Sequence, residues 1–247
     1  MQRLDQELVR LGFFPSREKA KRAILAGYVR VSGRSVCKPG DIVKPTDIIE
    51  VLTQEKYVSR GGYKLERALD YFQIDVTGLI ALDIGASTGG FTDCLLQRGV
   101  ATVYAIDVGK GQLAWKLRND QRVVVMENIN ARYLNRSHFP QTFNNADIAV
   151  IDCSFISLRL IIPSAIQLLA EKGKIVALIK PQFEAGKKEA DLHRGIIKDP
   201  LIHQRVIADL ENFVKSNFNL LWRGVIESPI EGQSGNKEFL VYLEKLI

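Results

Sequence analysis

Residues 79–108, LIALDIGASTGGFTDCLLQRGVATVYAIDV, decide the fold of this chain. The apolar run LIALDI predicts a buried strand, and GASTGG predicts a turn of small residues. FTDCLLQRG predicts a helix that ends at a glycine, and ATVYAIDV predicts a second strand. A strand, a helix and a strand in this order form the βαβ unit of a parallel sheet with helices on both faces. The sequence therefore predicts an α/β fold with a doubly wound, Rossmann-like sheet.

The same stretch predicts a nucleoside-binding turn. Gly85 permits a tight turn at the end of the first strand, and Gly89 and Gly90 would let a ligand approach the start of the helix. Asp107 ends the next strand, where a carboxylate can accept hydrogen bonds from a ribose. Ser87 replaces the middle glycine of the dinucleotide fingerprint, whose purpose is to admit a pyrophosphate. We therefore expect S-adenosyl-L-methionine, because it has no phosphate and its carboxylate can bind a helix N-terminus.

Further residues near this turn complete the predicted donor site. Asn128 and Asn130 follow the next strand, and either amide could contact the adenine, although such residues are also common turn formers. A structural turn without a ligand is the alternative for the whole motif. The predicted donor-binding residues are Asp83, Gly85, Ala86, Ser87, Gly89, Gly90, Phe91, Asp107, Asn130 and Asp152.

Charged residues stand at the strand ends where ligands of open α/β sheets bind. Asp152 follows the strand ADIAVI, and Lys180 follows KIVALI. Glu238 precedes FLVYL, and it reaches the same rim if this last strand runs antiparallel, as edge strands often do. Lys64 lies early in a helix ahead of the sheet. One such lysine alone is usually a surface tail with a packed stem, but four charged residues at one rim predict a catalytic set.

This set suits methyl transfer to a hydroxyl group. A ribose hydroxyl is a poor nucleophile and must lose its proton as it attacks a sulfonium methyl group. A free lysine has a pKa near ~10.4; a neighbouring cation or burial lowers that value, and neighbouring carboxylates raise it. The sequence leaves this balance open. We expect Lys180 to be the base or the oxyanion stabiliser, Lys64 to assist, Asp152 to position Lys180 and the methyl donor, and Glu238 to hold Lys64 or the ribose.

The first 62 residues carry most of the net charge. They contain 12 Lys and Arg against 7 Asp and Glu, which is +5 of the chain's +6. RLDQELVRLG and SREKAKRAILAG predict two short amphipathic helices, and YVRV and RSV predict short strands. A basic helix face predicts an anionic partner, and a merely solvated face is the alternative. The predicted RNA-binding residues are Arg3, Arg17, Lys19, Lys21 and Arg22.

Composition argues against several classes of protein. No apolar run approaches the ~20 residues that a membrane-spanning helix needs. The N-terminus lacks the apolar core of a signal peptide, so we expect a cytoplasmic protein and not a membrane-active cytolysin. Cys37, Cys94 and Cys153 are widely spaced and the three histidines are scattered, so we expect neither a disulfide framework nor a metal site. The sequence carries no signal for the oligomeric state.

These segments resemble known families. RLDQELVRLGFFPSREKAKRAILAGYVRVSGRSVCKPGDIV is similar to the alpha-L RNA-binding module of a ribosomal protein and many pseudouridine synthases. GASTGGF with Lys64, Asp152, Lys180 and Glu238 resembles the ribose 2′-O-methyltransferases typified by FtsJ. The whole chain resembles the TlyA, or haemolysin A, family of rRNA methyltransferases through VSRGGYKLERAL, DCSFISL, IKPQFEAG, GIIKDP and SPIEGQSGNKEFL.

The resemblance implies both an architecture and an activity. It implies an alpha-L type RNA-binding domain in residues 1–55, a linker in 56–62, and a methyltransferase domain in 63–247 with an antiparallel last strand. It implies methyl transfer from S-adenosyl-L-methionine to the ribose 2′-hydroxyl of a cytidine. The implied substrate is rRNA or ribosomal subunits, and we expect no metal to take part. The joining segment LTQEKYV departs from the R-x-W-V linker of mycobacterial members, which leaves coupling between the domains open.

Two other functions stay open. Enzymes that methylate exocyclic amines carry a D/N-P-P-aromatic loop where this chain has DCSF, in which Cys153 and Ser154 replace both prolines. Cys153 could act as the nucleophile of carbon-5 methylation, although the usual preceding proline is missing. A non-catalytic RNA binder of ribosome assembly is the other alternative. The charged segment 184–199 is predicted to be either a mobile cover over the RNA or a solvated connector.

Overall fold

The structure, a computed structural model, describes residues 2–25, 27–35, 38–52, 56–232 and 235–246. The chain forms two compact units, Met1–Lys56 and Tyr57–Ile247. Residues 53–55, at the end of the first predicted domain, and Cys37 lie outside the described residues. Tyr57, inside the predicted linker, is only 2% exposed and packs into the core of the second unit. The second unit therefore begins with a buried aromatic anchor.

The first unit combines two helices with small antiparallel sheets. Its elements are β1 (Gln2–Arg3), α1 (Leu4–Arg10), α2 (Arg17–Leu25), β2 (Val29–Val31), β3 (Arg34–Ser35), β4 (Ile42–Val43) and β5 (Ile49–Val51). Strands β3, β2 and β5 form one sheet, and β1 pairs with β4. Apolar residues of both helices and of two strands bury a small core, as their helical spacing predicts. The predicted small α+β domain is confirmed.

The second unit is a seven-stranded sheet with helices on both faces. Its helices are α3 (Gly61–Tyr71), α4 (Gly90–Gln97), α5 (Trp115–Arg118), α6 (Leu158–Gln167), α7 (Pro181–Glu184), α8 (Lys187–Leu192) and α9 (Pro200–Asn217). Its strands are β6 (Ile80–Ile84), β7 (Thr102–Ile106), β8 (Val123–Met126), β9 (Ala146–Ile151), β10 (Leu169–Ile179), β11 (Leu220–Glu227) and β12 (Phe239–Lys245). The spatial order is β11-β12-β10-β9-β6-β7-β8. Strand β12 is antiparallel to both neighbours and the remaining pairs are parallel, so the predicted fold class is confirmed.

The order of the strands reverses between β6 and β9. From β6 the chain moves outward through β7 to β8, and it then returns to β9 on the other side of β6. Ligands of open α/β sheets bind at such a reversal, outside the carboxyl ends of the strands. Strand β6 ends directly before Gly85, and β9 ends directly before Asp152. The topology thus places the glycine-rich turn and the first predicted catalytic carboxylate side by side.

Alternation along the strands divides the core of the second unit between the two faces of the sheet. In β7, Tyr104 and Ile106 join the cluster that includes residues of α6 and α9, whereas Val103 and Ala105 join the cluster that includes residues of α3 and α4. Each strand of the sheet centre is therefore buried on both sides, which is why these segments read as continuous apolar runs.

Helix α9 offers a matched test of this packing. Leu210 is fully buried against the sheet, and Leu201 on the same helix is 72% exposed. We expect Leu210→Ala to lower the free energy of unfolding by about 2–5 kcal/mol, because it removes buried methyl groups and leaves a cavity. Leu201→Ala should change it by less than about 0.5 kcal/mol. Urea unfolding of both variants checks this, and equal losses would contradict the described burial of α9.

Candidate active site

A cavity of about 1140 Å³ lies at the strand reversal. Its walls come from the turn after β6, the ends of β9 and β10, the start of α3, helix α8 and the turn before β12. All four residues of the predicted catalytic set line it: Lys64, Asp152, Lys180 and Glu238. Residues separated by up to 174 positions in the chain are thus brought to one cavity.

Lys180 and Asp152 form one ion pair in this cavity. Strand β10 ends at Ile179, and Pro181 begins α7, so the side chain of Lys180 leaves the sheet at its rim. Its Nζ lies 2.6 Å from Oδ1 of Asp152 and donates a hydrogen bond of 2.8 Å to Oγ of Ser154. The Lys180 residue is only 7% exposed. This ammonium is therefore a held group in a cavity and not a solvated tail.

Lys64 and Glu238 form the second ion pair. The Nζ of Lys64, in the first turn of α3, lies 2.5 Å from Oε2 of Glu238, and both residues are buried. Phe239 at the start of β12 pairs with Ile179 at the end of β10. Because β12 runs antiparallel to β10, its first residues lie at the carboxyl ends of the parallel strands. The register of these two strands therefore places Glu238 beside the end of β10.

Burying charged side chains is an expensive arrangement for a protein. Lys64, Glu238 and Lys180 are buried, and the side chain of Asp152 is partly exposed. Desolvation of charged groups offsets much of their mutual attraction, so such pairs contribute little net stability. Polar groups that converge in a cavity outside the carboxyl ends of parallel strands are typical of a binding or active site. The described geometry therefore favours a chemical use for the four side chains over a purely structural one.

The glycine-rich turn is shaped by contacts within the chain. A Cβ on Gly85, whose φ is +88°, would lie 2.6 Å from the carbonyl oxygen of Asp152. A Cβ on Gly89 would lie 2.3 Å from Cδ1 of Leu117, and one on Gly90 would lie 2.3 Å from Oγ of Ser59. We predicted that Gly89 and Gly90 let a ligand approach the start of the helix. In the structure their small size also accommodates Leu117 and Ser59 of the same chain.

Six of the predicted donor-binding residues line the cavity: Gly85, Ala86, Ser87, Gly90, Phe91 and Asp152. Four do not line it in the described part of the chain: Asp83, Gly89, Asp107 and Asn130. The carboxylate of Asp107 accepts hydrogen bonds from the backbone N–H groups of Ser87, at 2.8 Å, and Gly109, at 2.7 Å, and so holds the turn. The side chain of Asn130 accepts from the N–H of Arg132 at 3.0 Å, which is the turn-forming role weighed for it above.

Asp83 lies beneath the turn and has no exposed surface. Its Oδ2 accepts a hydrogen bond of 2.6 Å from Oγ1 of Thr92, and its Oδ1 has no hydrogen-bond partner among the described residues. Burial, and to a smaller extent the negative charge of Asp152, raises the pKa of Asp83 to about 7, against the opposing effect of the Thr92 hydrogen bond. Asp83 therefore supports the cavity floor from below.

Cys153 is unsuited to act as a nucleophile. Its Sγ lies 3.5 Å from the carbonyl oxygen of Ile84, to which it can donate. Burial, followed by the charge of Asp152, raises the pKa of the Cys153 thiol to about 12. Because the thiolate is the reactive form of cysteine, this environment keeps the group inert near neutral pH. The structure thus gives no support to carbon-5 methylation through Cys153.

Three residues of this site escaped prediction. Ser154 bonds Lys180, as described above, although the DCSF motif itself was recognised. Phe155 is 88% exposed at the cavity wall, with a left-handed φ of +64°, and its ring lies 5.2 Å from that of Phe183. Asn236, which is 2% exposed, binds the N–H of Ile197 at 2.9 Å and the carbonyl oxygen of Gly195 at 2.8 Å. No local pattern in the sequence signals these contacts.

The charged segment 184–199 forms a wall of the cavity. At its start the carboxylate of Glu184 accepts hydrogen bonds from Oγ of Ser157, at 2.6 Å, and from the N–H of Leu158, at 2.7 Å. Near its end Asn236 binds the turn at residues 195–197. Helix α8 lies between these two anchors and contributes Lys187 and Asp191 to the wall. The segment is therefore attached at both ends and borders the site.

The predicted RNA-binding residues of the first unit have two kinds of environment. Arg3 and Arg17 form ion pairs with the buried Asp5, at 3.1 and 2.9 Å. Lys19 and Arg22 on α2 are exposed, and Lys21 is partly exposed. The prediction named these five cations together. In the structure Arg3 and Arg17 are paired with a buried carboxylate, and this distinguishes them from the three cations on α2 described above.

Comparison with known proteins identifies the two units. Residues 57–245 match the FtsJ-like methyltransferase family, and residues 2–49 match the S4 domain. The chain belongs to the FtsJ-like methyltransferase family. The predicted family resemblance is thereby confirmed.

Relatives are similar over nearly the whole chain. The protein named 16S/23S rRNA (cytidine-2′-O)-methyltransferase TlyA from Mycobacterium tuberculosis is 44% identical over 98% of this chain and 89% of its own length. Hemolysin A of Brachyspira hyodysenteriae is 44% identical over 97% of this chain and 98% of its own length. A solved structure from Streptococcus thermophilus, described as a candidate hemolysin, is 44% identical, covers 99% of this chain and 88% of its own, and superposes with a TM-score of 0.75.

The described residues contain neither a membrane-spanning helix nor a cluster of metal ligands. No helix there is long and apolar enough to cross a membrane. Nor does that part of the chain bring together three or more His, Cys, Asp or Glu side chains in an arrangement that could hold a metal ion.

The Lys64–Glu238 pair can be tested against an exposed pair. Glu238→Gln leaves the buried ammonium of Lys64 without its counter-charge, so we expect the free energy of unfolding to fall by about 3 kcal/mol. Glu227 pairs with Lys237 where both side chains are about half exposed, and Glu227→Gln should lower it by less than about 1 kcal/mol. Denaturant unfolding near neutral pH measures both. Equal, small losses would mean that the charge of Lys64 is solvated.

Asp83 gives a signed pH prediction. Its pKa is about 7 in the folded protein and about 3.9 in an unfolded chain. Between these values the folded state binds more protons, so its stability falls as pH rises through the window and stays lower above it. Asp83→Asn removes this titration. We expect the stability of the variant relative to wild type to be greater at about pH 8 than at about pH 5, and a difference independent of pH would refute the assignment.

Proposed function

We propose that this protein transfers a methyl group from S-adenosyl-L-methionine to the 2′-hydroxyl of a cytidine ribose in rRNA. One observation carries the proposal: two lysine–carboxylate pairs, the buried Lys64–Glu238 and the partly buried Lys180–Asp152, line one cavity beside the glycine-rich turn. The choice of ribose, cytidine and rRNA draws support from the named activity of the TlyA relative. An rRNA substrate also implies a cytoplasmic location.

The residues around the turn fit the methyl donor. The cavity reaches Gly85, Ala86 and Ser87 and the first residues of α4, where a helix N-terminus favours a carboxylate. Asp107 at the end of β7 holds the turn through backbone N–H groups, and each of its oxygens keeps a second lone pair for a hydroxyl donor. When bound, the donor supplies an electrophilic methyl group on a cationic sulfur. None of these contacts depends on a phosphate group, which S-adenosyl-L-methionine lacks.

Lys180 is the residue that we assign to the ribose hydroxyl. Its Nζ takes the hydroxyl proton if the amine is neutral when the substrate binds, and it stabilises the developing oxygen charge if it is an ammonium. Asp152 and Ser154 fix the position of this nitrogen from two sides, so little motion is needed during the reaction. Both assignments use the same geometry, and they differ in pH dependence, because only a proton-accepting amine makes the rate rise with its deprotonation.

Lys64 and Glu238 provide the second half of the site. The ammonium of Lys64 faces the same cavity and adds positive charge where the hydroxyl oxygen becomes negative. Glu238 keeps this ammonium in place and is itself fixed by the strand register of β12. Buried charges of fixed orientation stabilise a transition state more effectively than mobile ones in water do.

The wall around Phe155 supports an RNA substrate. Phe155 is 88% exposed at the cavity wall and its ring lies 5.2 Å from that of Phe183, so two neighbouring aromatic rings are available to a partner there. Proteins recognise unpaired RNA bases by stacking them on such side chains. We assign Phe155 and Phe183 to the base of the target nucleotide or of its neighbour.

Removal of the Lys180 amine tests the proposal. We expect Lys180→Ala to lower the rate of methyl transfer to rRNA at least about 100-fold, in line with the loss of a group that acts on a proton in the transition state. Lys215→Ala is the control, because Lys215 is exposed on α9 and pairs with Glu211 on the same helix. Transfer of labelled methyl groups from the donor to rRNA and to ribosomal subunits measures both rates.

The position of the methyl group distinguishes the alternatives. A 2′-O-methyl group removes the hydroxyl that alkaline cleavage requires, so the modified linkage should survive mild alkali as a dinucleotide that carries the label. Label on a base would reject ribose methylation. If wild type binds rRNA but transfers no methyl group to rRNA or subunits, the protein is the non-catalytic binder weighed above.

A further inference from the structure

Asp5 is a buried carboxylate that lies between two arginines. It stands in the first turn of α1 and has no exposed surface. Its Oδ1 lies 3.1 Å from Nε of Arg3, and its Oδ2 lies 2.9 Å from Nη2 of Arg17. Arg3 also places Nη2 3.4 Å from Oδ2. One carboxylate thus binds two guanidinium groups that are 14 residues apart in the chain.

Both guanidinium groups keep donors for a ligand. Each guanidinium carries five N–H donors, of which Asp5 takes two from Arg3 and one from Arg17. The side chains of Arg3 and Arg17 are 44% and 51% exposed, so their remaining edges reach the solvent. Two cations on one anion leave the cluster with a net charge of +1. The two guanidinium groups therefore present N–H donors and a net positive charge to the solvent.

The backbone around Asp5 fixes the arginine pair further. The N–H groups of Leu4 and Asp5 donate to the carbonyl oxygens of Asp41, at 2.8 Å, and Pro39, at 3.1 Å. A Cβ on Gly40 would lie 3.2 Å from Nη1 of Arg3, so the guanidinium of Arg3 lies close against this loop. Arg3 is therefore held by a carboxylate on one side and by a loop at Gly40.

We propose that Asp5 is a positioning residue that aims Arg3 and Arg17 at a backbone phosphate of the RNA. This inference rests on the rRNA substrate proposed above. Guanidinium groups match phosphate oxygens in bidentate geometry, and a fixed fork loses less freedom on binding than a mobile one. Phosphate contacts of this kind set the orientation of a protein on its RNA. The exposed Lys19 and Arg22 of α2 add positive charge, and the fixed Arg3 and Arg17 set the position of the RNA backbone.

Two simpler explanations predict a different effect of Asp5→Asn on RNA binding. If only net charge matters, neutralising Asp5 makes the unit more positive and tightens RNA binding. If Asp5 serves only the fold, its loss lowers stability but leaves RNA binding of the folded fraction unchanged. Positioning predicts weaker binding of the folded protein in spite of the extra positive charge.

The experiment compares three variants of the full chain with wild type. Asp5→Asn removes the carboxylate charge between the arginines. Glu18→Gln removes an equal charge from an exposed position beside Arg17, and serves as the matched control. Arg3→Lys with Arg17→Lys keeps both charges and removes both forks. Binding to deproteinised rRNA and to ribosomal subunits is measured at two salt concentrations, at a temperature where circular dichroism and unfolding curves show each variant to be folded.

We expect Asp5→Asn and the double lysine variant each to weaken binding about 10-fold, while Glu18→Gln stays within about 2-fold of wild type or binds more tightly. The inference is overturned if folded Asp5→Asn binds as tightly as wild type or more tightly. It is equally overturned if the double lysine variant matches wild type. The double lysine variant keeps the test open even if Asp5→Asn does not fold.

The two proposals fail separately. Wild type that binds rRNA and methylates it, with Asp5→Asn binding equally well, rejects the role of Asp5 alone. Wild type that neither binds nor methylates rRNA rejects the proposed function, and the role of Asp5 falls with it. Methyl transfer by wild type is therefore measured on the same RNA preparations as the binding.

Discussion

The ion pair between the buried Lys180 and the partly exposed Asp152 is the interaction on which the proposed site depends. Both residues leave parallel strands at the same edge of the sheet, one beside the glycine-rich turn and the other one strand away. The turn itself packs against the carbonyl oxygen of Asp152, so a displacement of this pair would also displace the cavity wall at which we propose the methyl donor binds. The lysine that ends the apolar run of β10 is thus tied to the donor turn through one carboxylate.

The second pair depends on the direction of one strand. Glu238 reaches Lys64 only because β12 enters the sheet antiparallel to β10, which brings its first residue to the rim that the parallel strands leave. Asn236 and Ser228 hold the chain just outside β12, through the turn at residues 195–197 and through the carbonyl oxygen of Glu238. The position of Glu238, the carboxylate of the second proposed pair, therefore depends on the strand topology and on hydrogen bonds made away from the glycine-rich turn.

Sequence patterns predict the parts of this site that follow from strand order. Asp152 and Lys180 follow apolar runs, and the rule that ligands bind at carboxyl strand ends is enough to bring them together. Glu238 precedes its strand, so placing it at the same rim needs the further expectation that the last strand is antiparallel. The left-handed backbone of Phe155 could not be predicted, because the residue type gives no sign of it. Likewise, the charge pattern predicts that Arg17 is basic surface, but only tertiary packing brings it to the buried carboxylate of Asp5, 12 residues away in the chain. The charge pattern of a sequence identifies the cations, but it does not show which of them are fixed by an ion pair.

A double-mutant cycle between the two lysines tests the central claim most directly. If both ion pairs act on one ribose hydroxyl, Lys64→Ala and Lys180→Ala disable the same step, and the double variant should be no slower in methyl transfer than the slower single variant. The measurement is the single-turnover rate on rRNA with saturating donor, with donor and RNA binding checked separately. Losses that multiply in the double variant would show that the two lysines act independently and would contradict a shared site.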